Sequence, residues 1–469
     1  MVRHFKRGFA ALLCTLASIT IFSSCGSSGQ RPEPVETQPP EAEATSTPVP
    51  VVILDGTAFP ADSIRLDFSD TEVPFSDLLA NRAFFVDLKE MELGDPDGDY
   101  SQIQALCEAF QGVDITWRTS ILGEEYDSKT TVIDLSRMTR EDAPYVCSQL
   151  KRLPLLEVID LVPGEGMTTL PIEALEQLSQ AVPHSEIRFC YELYGQTVSA
   201  DTQELRYDKV QIGDSAIPEF RRILPFLHSL KLLRFCDCGI RDNDAMAELR
   251  NDFPGVNVVW SIEITGSLFM TDTTLMHDPL LRDKHVHLLQ YFPDILYLDI
   301  GHNHYLTSVD FIKYLPKLQV AILAITHISD ISALSNCPDL EYCELFNSHI
   351  ADLYPLAGLQ KLEYLNIGDM PFVEDISPIF GLRSLKMVRI CGSTFNKVSR
   401  EQVEELKERL PDCIVSDGGG DPTTSGGWRW DVNHVYTERY ALLRKQMLYD
   451  IKDWKKRQSN SPSGEKPDP

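Results

Sequence analysis

The side chains that could do chemistry are spread thinly along this chain. Three aspartates alternate in "GDPDGDY", at Asp95, Asp97 and Asp99, as carboxylates do in calcium-binding loops. In such a loop glycine stands at the sixth position and glutamate at the twelfth, whereas here glycine is fourth and Leu106 is twelfth. We therefore interpret the stretch as a turn before a helix over "DYSQIQALCEAF", and calcium binding stays an open alternative.

Histidine and cysteine show no catalytic or metal-binding arrangement. Cys236 and Cys238 form a lone C-x-C pair, whereas a zinc site needs a second pair at a suitable spacing. His302 and His304 flank Asn303, which we place in a turn with both histidines facing solvent. The sequence also lacks a phosphate-binding loop, G-x-S-x-G and H-E-x-x-H. We predict no catalytic residue, no metal, no cofactor and no enzymatic activity, and a hydrolase is the least favoured alternative.

The N-terminus predicts export and attachment to a membrane. Three cations within the first seven residues precede an uncharged run over residues 9–22, shorter than the roughly 20 residues that span a bilayer. The stretch "FSSC", which ends at Cys25, resembles the lipobox of bacterial lipoproteins. That resemblance implies a signal peptide over residues 1–24, a fatty acyl anchor such as palmitate on Cys25, and a surface-exposed protein outside the cytoplasm, at the bacterial cell membrane. An ordinary secretory signal with an incidental cysteine is the alternative.

Composition predicts that the segment after this signal is disordered, and it argues against one class of partner. Residues 25–50 contain no aromatic side chain and are rich in Pro, Glu, Ser and Thr, which predicts a disordered tether. The whole chain has 43 Lys and Arg against 70 Asp and Glu, a net charge of −27. Such a field repels phosphate backbones, so we expect no nucleic-acid partner.

A regular repeat occupies residues 291–416. Its lead residues Leu318, Leu340, Leu362 and Leu385 are 22, 22 and 23 residues apart, and a fixed period of this length is typical of a solenoid. The pattern L-x-x-L-x-L, followed by a turn and I-x-D-I/L-x-x-L, resembles the internalin-like class of bacterial leucine-rich repeats. The resemblance implies an α/β leucine-rich-repeat solenoid with parallel strands on the concave face and helices and turns on the convex face.

Three aspartates recur at one place in this repeat. Asp330, Asp352 and Asp375 each stand just before the second apolar stretch. A carboxylate at that point can accept hydrogen bonds from the free N–H groups of a short helical turn. We predict that all three are structural caps.

A longer period precedes the regular block, over residues 51–290. Gly56, Gly123, Gly195 and Gly266 end similar tetrapeptides and are 67, 72 and 71 residues apart. Between them we predict strands at "SIRLDF", "AFFVDL", "TVIDLS", "LEVIDL" and "LKLLRF", and helices such as "REDAPYVCSQLKRLP". We interpret these as irregular leucine-rich units of about 70 residues, with two or three parallel strands each, in one continuous solenoid. Together with the lipobox, they resemble leucine-rich-repeat lipoproteins of gut Firmicutes.

The C-terminal part is predicted to close the solenoid and then to leave it. Ser399 and Gln402 predict a capping box at the start of a last helix, and "CIV" predicts a last strand. A glycine-rich linker over 417–427, an amphipathic basic helix over 428–457 and a disordered tail over 458–469 follow. The basic helix either docks on the acidic solenoid or contacts anionic membrane or wall polymers.

The intervening positions of the repeat strands predict a binding face. With L-x-x-L-x-L buried, these positions project from the concave sheet, where an apolar and aromatic stripe marks an interaction site. The predicted binding-face residues are Tyr297, Asp299, Val320, Ile322, Tyr342, Glu344, Phe346, Tyr364, Asn366, Met387 and Arg389. Cover by the C-terminal helix and the ordinary strand preference of Tyr and Val stay open as alternatives.

These observations predict a lipid-anchored, extracytoplasmic module that binds a protein or glycan at the cell surface through its concave face. A structural protein that organises the cell envelope is the alternative function. Alanine at Tyr297, Tyr342 and Tyr364 is expected to abolish partner capture while the fold stays intact.

Overall fold

Short strands that pair in parallel, most of them followed by a helix or a helical turn, are the recurring unit of the described chain. The computed structural model describes residues 49–96, 100–164, 169–390, 397–425 and 427–447. Within these ranges no helix is long and apolar enough to cross a membrane. The predicted signal peptide, Cys25 and nearly all of the predicted tether lie outside the described residues.

Three units of parallel strands precede the regular repeats. Strands β3 to β5, β8 to β10 and β13 to β15 are parallel triplets, and the antiparallel hairpins β1–β2, β6–β7, β11–β12 and β15–β16 flank them. The bounds are β1 Val51–Leu54, β2 Thr57–Pro60, β3 Arg65–Asp67, β4 Glu90–Glu92, β5 Asp114–Thr116, β6 Arg118–Ile121, β7 Glu124–Asp127, β8 Val132–Asp134, β9 Val158–Asp160, β10 Glu186–Arg188, β11 Tyr191–Leu193, β12 Gln196–Val198, β13 Glu204–Asp208, β14 Leu232–Cys236, β15 Asn257–Ile264 and β16 Ser267–Met270.

Each hairpin turns at one of the four periodic glycines. The φ angles are 41° and 77° at Asp55-Gly56, 52° and 86° at Leu122-Gly123, 49° and 82° at Tyr194-Gly195, and 52° and 89° at Thr265-Gly266. Positive φ at both central residues defines a type I′ turn, which matches the twist of a hairpin. The long period is therefore a period of hairpins. The hairpins separate the triplets into different sheets.

One predicted strand is wrong. The stretch "AFFVDL" overlaps a 3-10 helix, Arg82–Phe84, and the strand of that repeat is β4, which begins at Glu90. Phe85 and Leu88 are both buried. Their three-residue spacing suits a helical turn and not the alternation of a strand, which explains the error.

The regular repeats form one parallel sheet of seven strands. These are β17 Leu275–His277, β18 Tyr297–Asp299, β19 Val320–Ile322, β20 Tyr342–Glu344, β21 Tyr364–Asn366, β22 Met387–Arg389 and β23 Ile414–Ser416. The sheet begins at Leu275 and not at residue 291, because Met276 fills the core position that leucine holds in later repeats. The parallel strands and their stacked helical turns confirm the predicted class, an α/β leucine-rich-repeat solenoid.

Helices and helical turns connect the strands. The α-helices are α1 Phe75–Asn81, α2 Tyr100–Ala109, α3 Ala143–Leu150, α4 Ile172–Ala181, α5 Ile217–Ile223, α6 Asn243–Asp252, α7 Arg400–Arg409 and α8 Glu438–Met447. The 3-10 helices are Arg82–Phe84, Asp214–Ala216, Leu224–Phe226, Val286–Tyr291, Asp310–Tyr314, Ser332–Asn336, Tyr354–Leu356 and Ser377–Ile379. At α7, Ser399 accepts a hydrogen bond from the Gln402 backbone N–H at 3.2 Å. The Gln402 side-chain oxygen is buried without a partner among the described residues, so one half of the predicted capping box forms.

The core consists of two adjoining clusters of buried side chains. The first unit packs around its own cluster, from Val52 to Trp117, and a second cluster runs from Ile121 to Cys413. Arg152 joins them: its carbonyl accepts from Trp117 Nε1 at 2.8 Å, and its Nη2 donates to the Pro96 carbonyl at 2.6 Å. The eight cysteines in the described part of the chain are unpaired thiols.

Candidate functional site

The sheet places ten of the eleven predicted binding-face residues in two adjacent rows, and Phe346 follows the end of β20. In register across β18 to β22, one row is Tyr297, Val320, Tyr342, Tyr364 and Met387, and the other is Asp299, Ile322, Glu344, Asn366 and Arg389. The residues between the rows point into the solenoid core, because side chains alternate along a strand. The rows therefore share the concave face, as their spacing in the sequence predicts.

This face is covered by the protein's own C-terminal segment. We call residues 417–447 the strap, of which all but residue 426 are described. Trp428, Tyr440, Leu443 and Met447 of the strap form an apolar cluster with concave-face residues that include Tyr342. Tyr342 is 2% exposed, and each of the eleven predicted binding-face residues is buried or half-buried. Cover by the C-terminal segment, left open from the sequence, is thus the arrangement found.

Glu344 lies at the centre of the contact between strap and sheet and is 0% exposed. Its carboxylate accepts hydrogen bonds from Trp428 Nε1 at 2.8 Å, from Arg429 Nε at 3.2 Å and from Arg429 Nη2. The Tyr342 hydroxyl donates to the same carboxylate. Burial alone would lower the pKa of Arg429, but the attraction of Glu344 outweighs it and raises that pKa. Burial also raises the pKa of Tyr342, so the phenol stays a donor.

Two strap arginines lie over aromatic rings of the face. The Arg439 guanidinium is 5.4 Å from the Tyr342 ring centroid and 5.2 Å from that of Tyr364. Arg429 lies 5.9 Å from the Phe346 ring, and Trp428 packs on Tyr342 with ring centroids 5.5 Å apart. Cation–π attraction strengthens when it is shielded from water, so these contacts add to the ion pair at Glu344.

The start of the strap is held through its backbone. Asn366 Nδ2 donates to the Pro422 carbonyl at 3.0 Å. Arg389, 0% exposed, donates from Nη1 to Ser416 Oγ at 2.6 Å and from Nη2 to the Asp421 carbonyl at 3.4 Å. Both residues thus bind main-chain groups on the strap side, contacts that do not depend on strap side chains.

The secondary structure of the strap differs from the predicted helix over 428–457. Within the described residues the helix is α8, Glu438–Met447, and the stretch before it is a turn closed by a bridge between Trp430 and Tyr436. The Asp431 carboxylate accepts from the backbone N–H groups of residues 433 and 435, at 2.8 and 2.9 Å. Such an Asx turn competes with a helix start, which explains the shorter helix. The predicted helix beyond residue 447 and the predicted tail lie outside the described residues.

The three predicted caps lie one residue before the N-cap of successive 3-10 helices. Asp330 accepts from the Ser332 backbone N–H at 2.7 Å, Asp352 from that of Tyr354 at 2.8 Å, and Asp375 from that of Ser377 at 2.8 Å. Each carboxylate therefore satisfies the first free N–H group of a short helix. The donor N–H groups belong to short 3-10 helices of three to five residues, Ser332–Asn336, Tyr354–Leu356 and Ser377–Ile379.

The other chemical candidates do not assemble into a site. Asp95 lies 3.7 Å from Arg152, while Asp97 and Asp99 fall outside the described residues. In the parts of the chain that the structure describes, no three His, Cys, Asp or Glu side chains could hold a metal ion together. Asn303 is buried and its Oδ1 accepts from the Tyr305 backbone N–H at 3.0 Å, with both neighbouring histidines exposed.

Sequence reasoning missed two features of this region. Trp428 and Arg429, which hold Glu344, were placed only inside a long helix, although "WRW" is an aromatic and basic complement to the acidic tyrosine-rich face. His304, His327 and His349 stack along the solvent side, with ring centroids 5.8 and 5.2 Å apart. Their recurrence every 23 and 22 residues was the available signal. The rings of His327 and His349 are nearly parallel, at 13°, so their nitrogen lone pairs do not converge on one ion.

Comparisons with known proteins return solved structures at low identity and low TM-score. The sequence matches no protein-family model and no curated protein. Internalin C2 from Listeria monocytogenes aligns with 29% of this chain and 70% of its own, at 24% identity and a TM-score of 0.23. A leucine-rich-repeat protein of Leptospira interrogans aligns with 75% of this chain and 94% of its own, at 14% identity and a TM-score of 0.27.

A third solved structure is that of TLR13 in a complex with ssRNA13. It aligns with 80% of this chain at 15% identity and a TM-score of 0.26, and this chain covers 57% of it. Likenesses at these TM-scores carry no argument. The parallel sheet, its 22- and 23-residue period and its stacked helical turns make this chain a leucine-rich-repeat solenoid.

Proposed function

We propose that this chain is a non-catalytic protein-binding module, held outside the cytoplasm by a lipid on Cys25, with its concave face as the binding surface. The observation that carries the proposal is the burial of Tyr342 and Glu344 against a peptide segment, the strap. A face that encloses a peptide through an ion pair, aromatic contacts and main-chain hydrogen bonds has the chemistry of a protein-binding site.

The aromatic side chains of this face suit a protein better than a glycan. A sugar ring packs on an open aromatic face, but Tyr342 lies between Trp428, at 5.5 Å, and Tyr364, at 6.1 Å. The polar groups of Glu344 and Asn366 are also engaged by strap residues. A glycan is therefore the second ligand class.

Partner capture by the lipid-free chain, residues 26–469, tests the binding role. Arg429→Ala loosens the strap, and Lys445→Ala is the matched control because Lys445 is an exposed strap residue. We expect Arg429→Ala to capture an envelope or host protein more strongly than the other two chains, and a peptide of residues 420–447 to compete for it. Equal capture by all three chains, unaffected by the peptide, would contradict the proposal.

The triple tyrosine substitution is not a clean test of binding. Tyr342 and Tyr364 contact Arg439, and Tyr342 also packs on Trp428. Alanine at these positions removes contacts within the chain as well as any to a partner. Release of the strap is therefore an expected second effect of that variant.

Anchorage is a separate part of the proposal with its own experiment. Replacing Cys25 by Ala removes the thiol that the lipobox-like stretch would acylate. The expected result is a shift of the protein from the membrane fraction to the medium, together with loss of the acyl mass on the N-terminal peptide. An unmodified Cys25 in the membrane-bound wild type would contradict lipidation.

A structural role in the cell envelope is the second candidate, and one observation favours it. The strap buries the concave face, so the protein as described presents no open binding groove there. Cells that produce only a chain lacking residues 428–469 separate the two roles. Weakened envelopes without loss of a bound partner would favour the structural role.

A further inference from the structure

The strap shows which peptide chemistry the concave face accepts. Resting on the binding role proposed above, we propose that the face selects partner segments carrying a Trp-Arg pair followed by a second arginine. The strap is then an exchangeable self-ligand that such a segment displaces.

The buried carboxylate of Glu344 requires a cation beside it. Among the described residues, Arg429 is the one cation within ion-pair distance of this fully buried carboxylate. A ligand that covered Glu344 without supplying a cation would strip the carboxylate of water and leave it uncompensated, which weakens binding severely. Any segment that replaces the strap must therefore bring a positive charge to the same place.

The geometry of the contact favours arginine as that cation. Arg429 donates from both Nε and Nη2, one to each oxygen of Glu344, and Trp428 Nε1 donates to Oε1. A guanidinium fork matches two carboxylate oxygens, whereas a lysine ammonium is a point donor. The neighbouring tryptophan also fills the space over Tyr342. The site is thus built for Trp-Arg and not for a basic residue of any kind.

Some contacts of the strap depend on its sequence and others do not. Arg439 lies over both Tyr342 and Tyr364, which gives the second arginine of the recognised segment. Asn366 and Arg389 bind carbonyl groups of strap residues 421 and 422, and most sequences can supply those. Selectivity therefore resides in the two arginines and the tryptophan.

The strap can leave the concave face without opening the core. Its apolar residues pack in a cluster on the concave face, separate from the cluster of repeat leucines on the other side of the sheet. The strap joins the solenoid through the exposed stretch Gly418-Gly419-Gly420. Displacement would break the strap contacts and leave the leucine ladder in place.

Exchange of the strap in a folded full-length chain tests the inference. A protease recognition sequence is inserted between Gly419 and Gly420, and the chain is folded, cleaved and mixed with a labelled peptide of residues 420–447. The cleaved strap is expected to co-elute with the solenoid and to be replaced by the peptide. A strap that never exchanges with excess peptide would overturn the proposal.

Peptide variants make the test specific, because the solenoid stays unchanged in all of them. The Arg429→Ala peptide is expected to compete roughly 30-fold less well or worse, as for removal of one partner of a buried ion pair. The Arg429→Lys peptide keeps the charge but loses the two-pronged geometry, so it is expected to compete less well than the wild-type peptide and better than Arg429→Ala. Arg439→Ala is expected to compete less well, and Lys445→Ala equally well. Equal competition by the wild-type and Arg429→Ala peptides would refute arginine selection.

A solenoid variant supplies the reciprocal measurement. Glu344→Gln in the cleavable chain is expected to abolish the difference between wild-type and Arg429→Ala peptides, and a retained difference counts against the role of Glu344. The assay uses neither a lipid nor an envelope partner, so its failure is distinguishable from failure of the proposed function. Capture of a partner that Arg429→Ala still binds more strongly, but that the peptide of residues 420–447 does not displace, would leave the binding role standing and overturn the self-ligand.

Discussion

Arg429 closes an ion pair on Glu344 from 85 residues further along the chain, at a point where the Glu344 side chain has no exposure to solvent. The pair joins the middle strand of the regular repeats to the strap that crosses them. This long-range contact determines both the stability of the covered state and the ease with which the face can open.

Removing one member of this pair is expected to destabilise the protein. Glu344→Gln or Arg429→Met leaves the other charge buried, which costs about 2–5 kcal/mol in comparable pairs. Urea denaturation, followed by circular dichroism, measures the change in the free energy of unfolding. Lys361→Ala, which breaks the exposed pair with Asp339, is the control and should unfold like the wild type. Equal midpoints for the two sets would show that this ion pair adds no stability.

The type I′ turns predict a glycine requirement at defined positions. Gly123 has φ 86° with open space around it, so Gly123→Ala introduces backbone strain and no collision. We expect a loss of about 1–2 kcal/mol in the free energy of unfolding. Gly255→Ala is the matched control, because Gly255 lies outside the positive-φ range and has equally open surroundings. A similar loss in both variants would argue against strain as the cause.

The stability of the protein is predicted to depend on pH through His277, which lies on β17 at the edge of the concave sheet. Its Nδ1 lies 3.0 Å from Asp299 Oδ2, and this hydrogen bond raises the pKa of His277 more than burial lowers it. Because the folded-state pKa lies above the unfolded one, near 6.5, the stabilisation is full below pH 6.5 and is lost as the pH rises through the raised pKa.

Thermal midpoints measured between pH 5 and 9 check this prediction. The midpoint of the wild type should fall more steeply above pH 6.5 than that of His277→Gln. Asp299→Asn should flatten the slope in the same way, while its side-chain oxygen can still accept from the Gly301 backbone N–H, a bond of 3.0 Å in the wild type. Parallel profiles in all three proteins would exclude His277 as the titrating group.

The thiols are predicted to differ sharply in reactivity. Burial raises the pKa of Cys337 to about 12 and also raises that of Cys343. It raises the pKa of Cys107 as well, but Cys107 is exposed and the other two are buried. Since the thiolate is the reactive form and must be reached, alkylation under native conditions should label Cys107 first among the thiols that the structure describes, and leave Cys337 and Cys343 unlabelled until the protein unfolds. Mass spectrometry of timed samples provides the measurement. Early labelling of Cys343 would mean that the repeat core opens locally.

Much of the fold could be predicted from the sequence because the signals are local. Leu340, Cys343 and Leu345 follow a repeat whose period places one strand in each turn of the solenoid, and the structure buries all three. Asp352 stands where a short helix begins, and it accepts that helix's first N–H. The strand predicted at "AFFVDL" is wrong because a short apolar run is compatible with either a strand or a helical turn. Only the structure shows which of its apolar residues, Phe85 and Leu88 among them, are buried.

The sequence by itself determined that Tyr342 and Glu344 share the concave side of the sheet, because strand alternation places them there. What lies over them was decided by tertiary structure alone. Periodicity carries no information about contacts between segments far apart in the chain, and the cation for Glu344 comes from Arg429. A buried carboxylate is stable only beside a compensating charge, so it is the folded path of the strap that turns an apparently exposed acidic, tyrosine-rich face into an enclosed one.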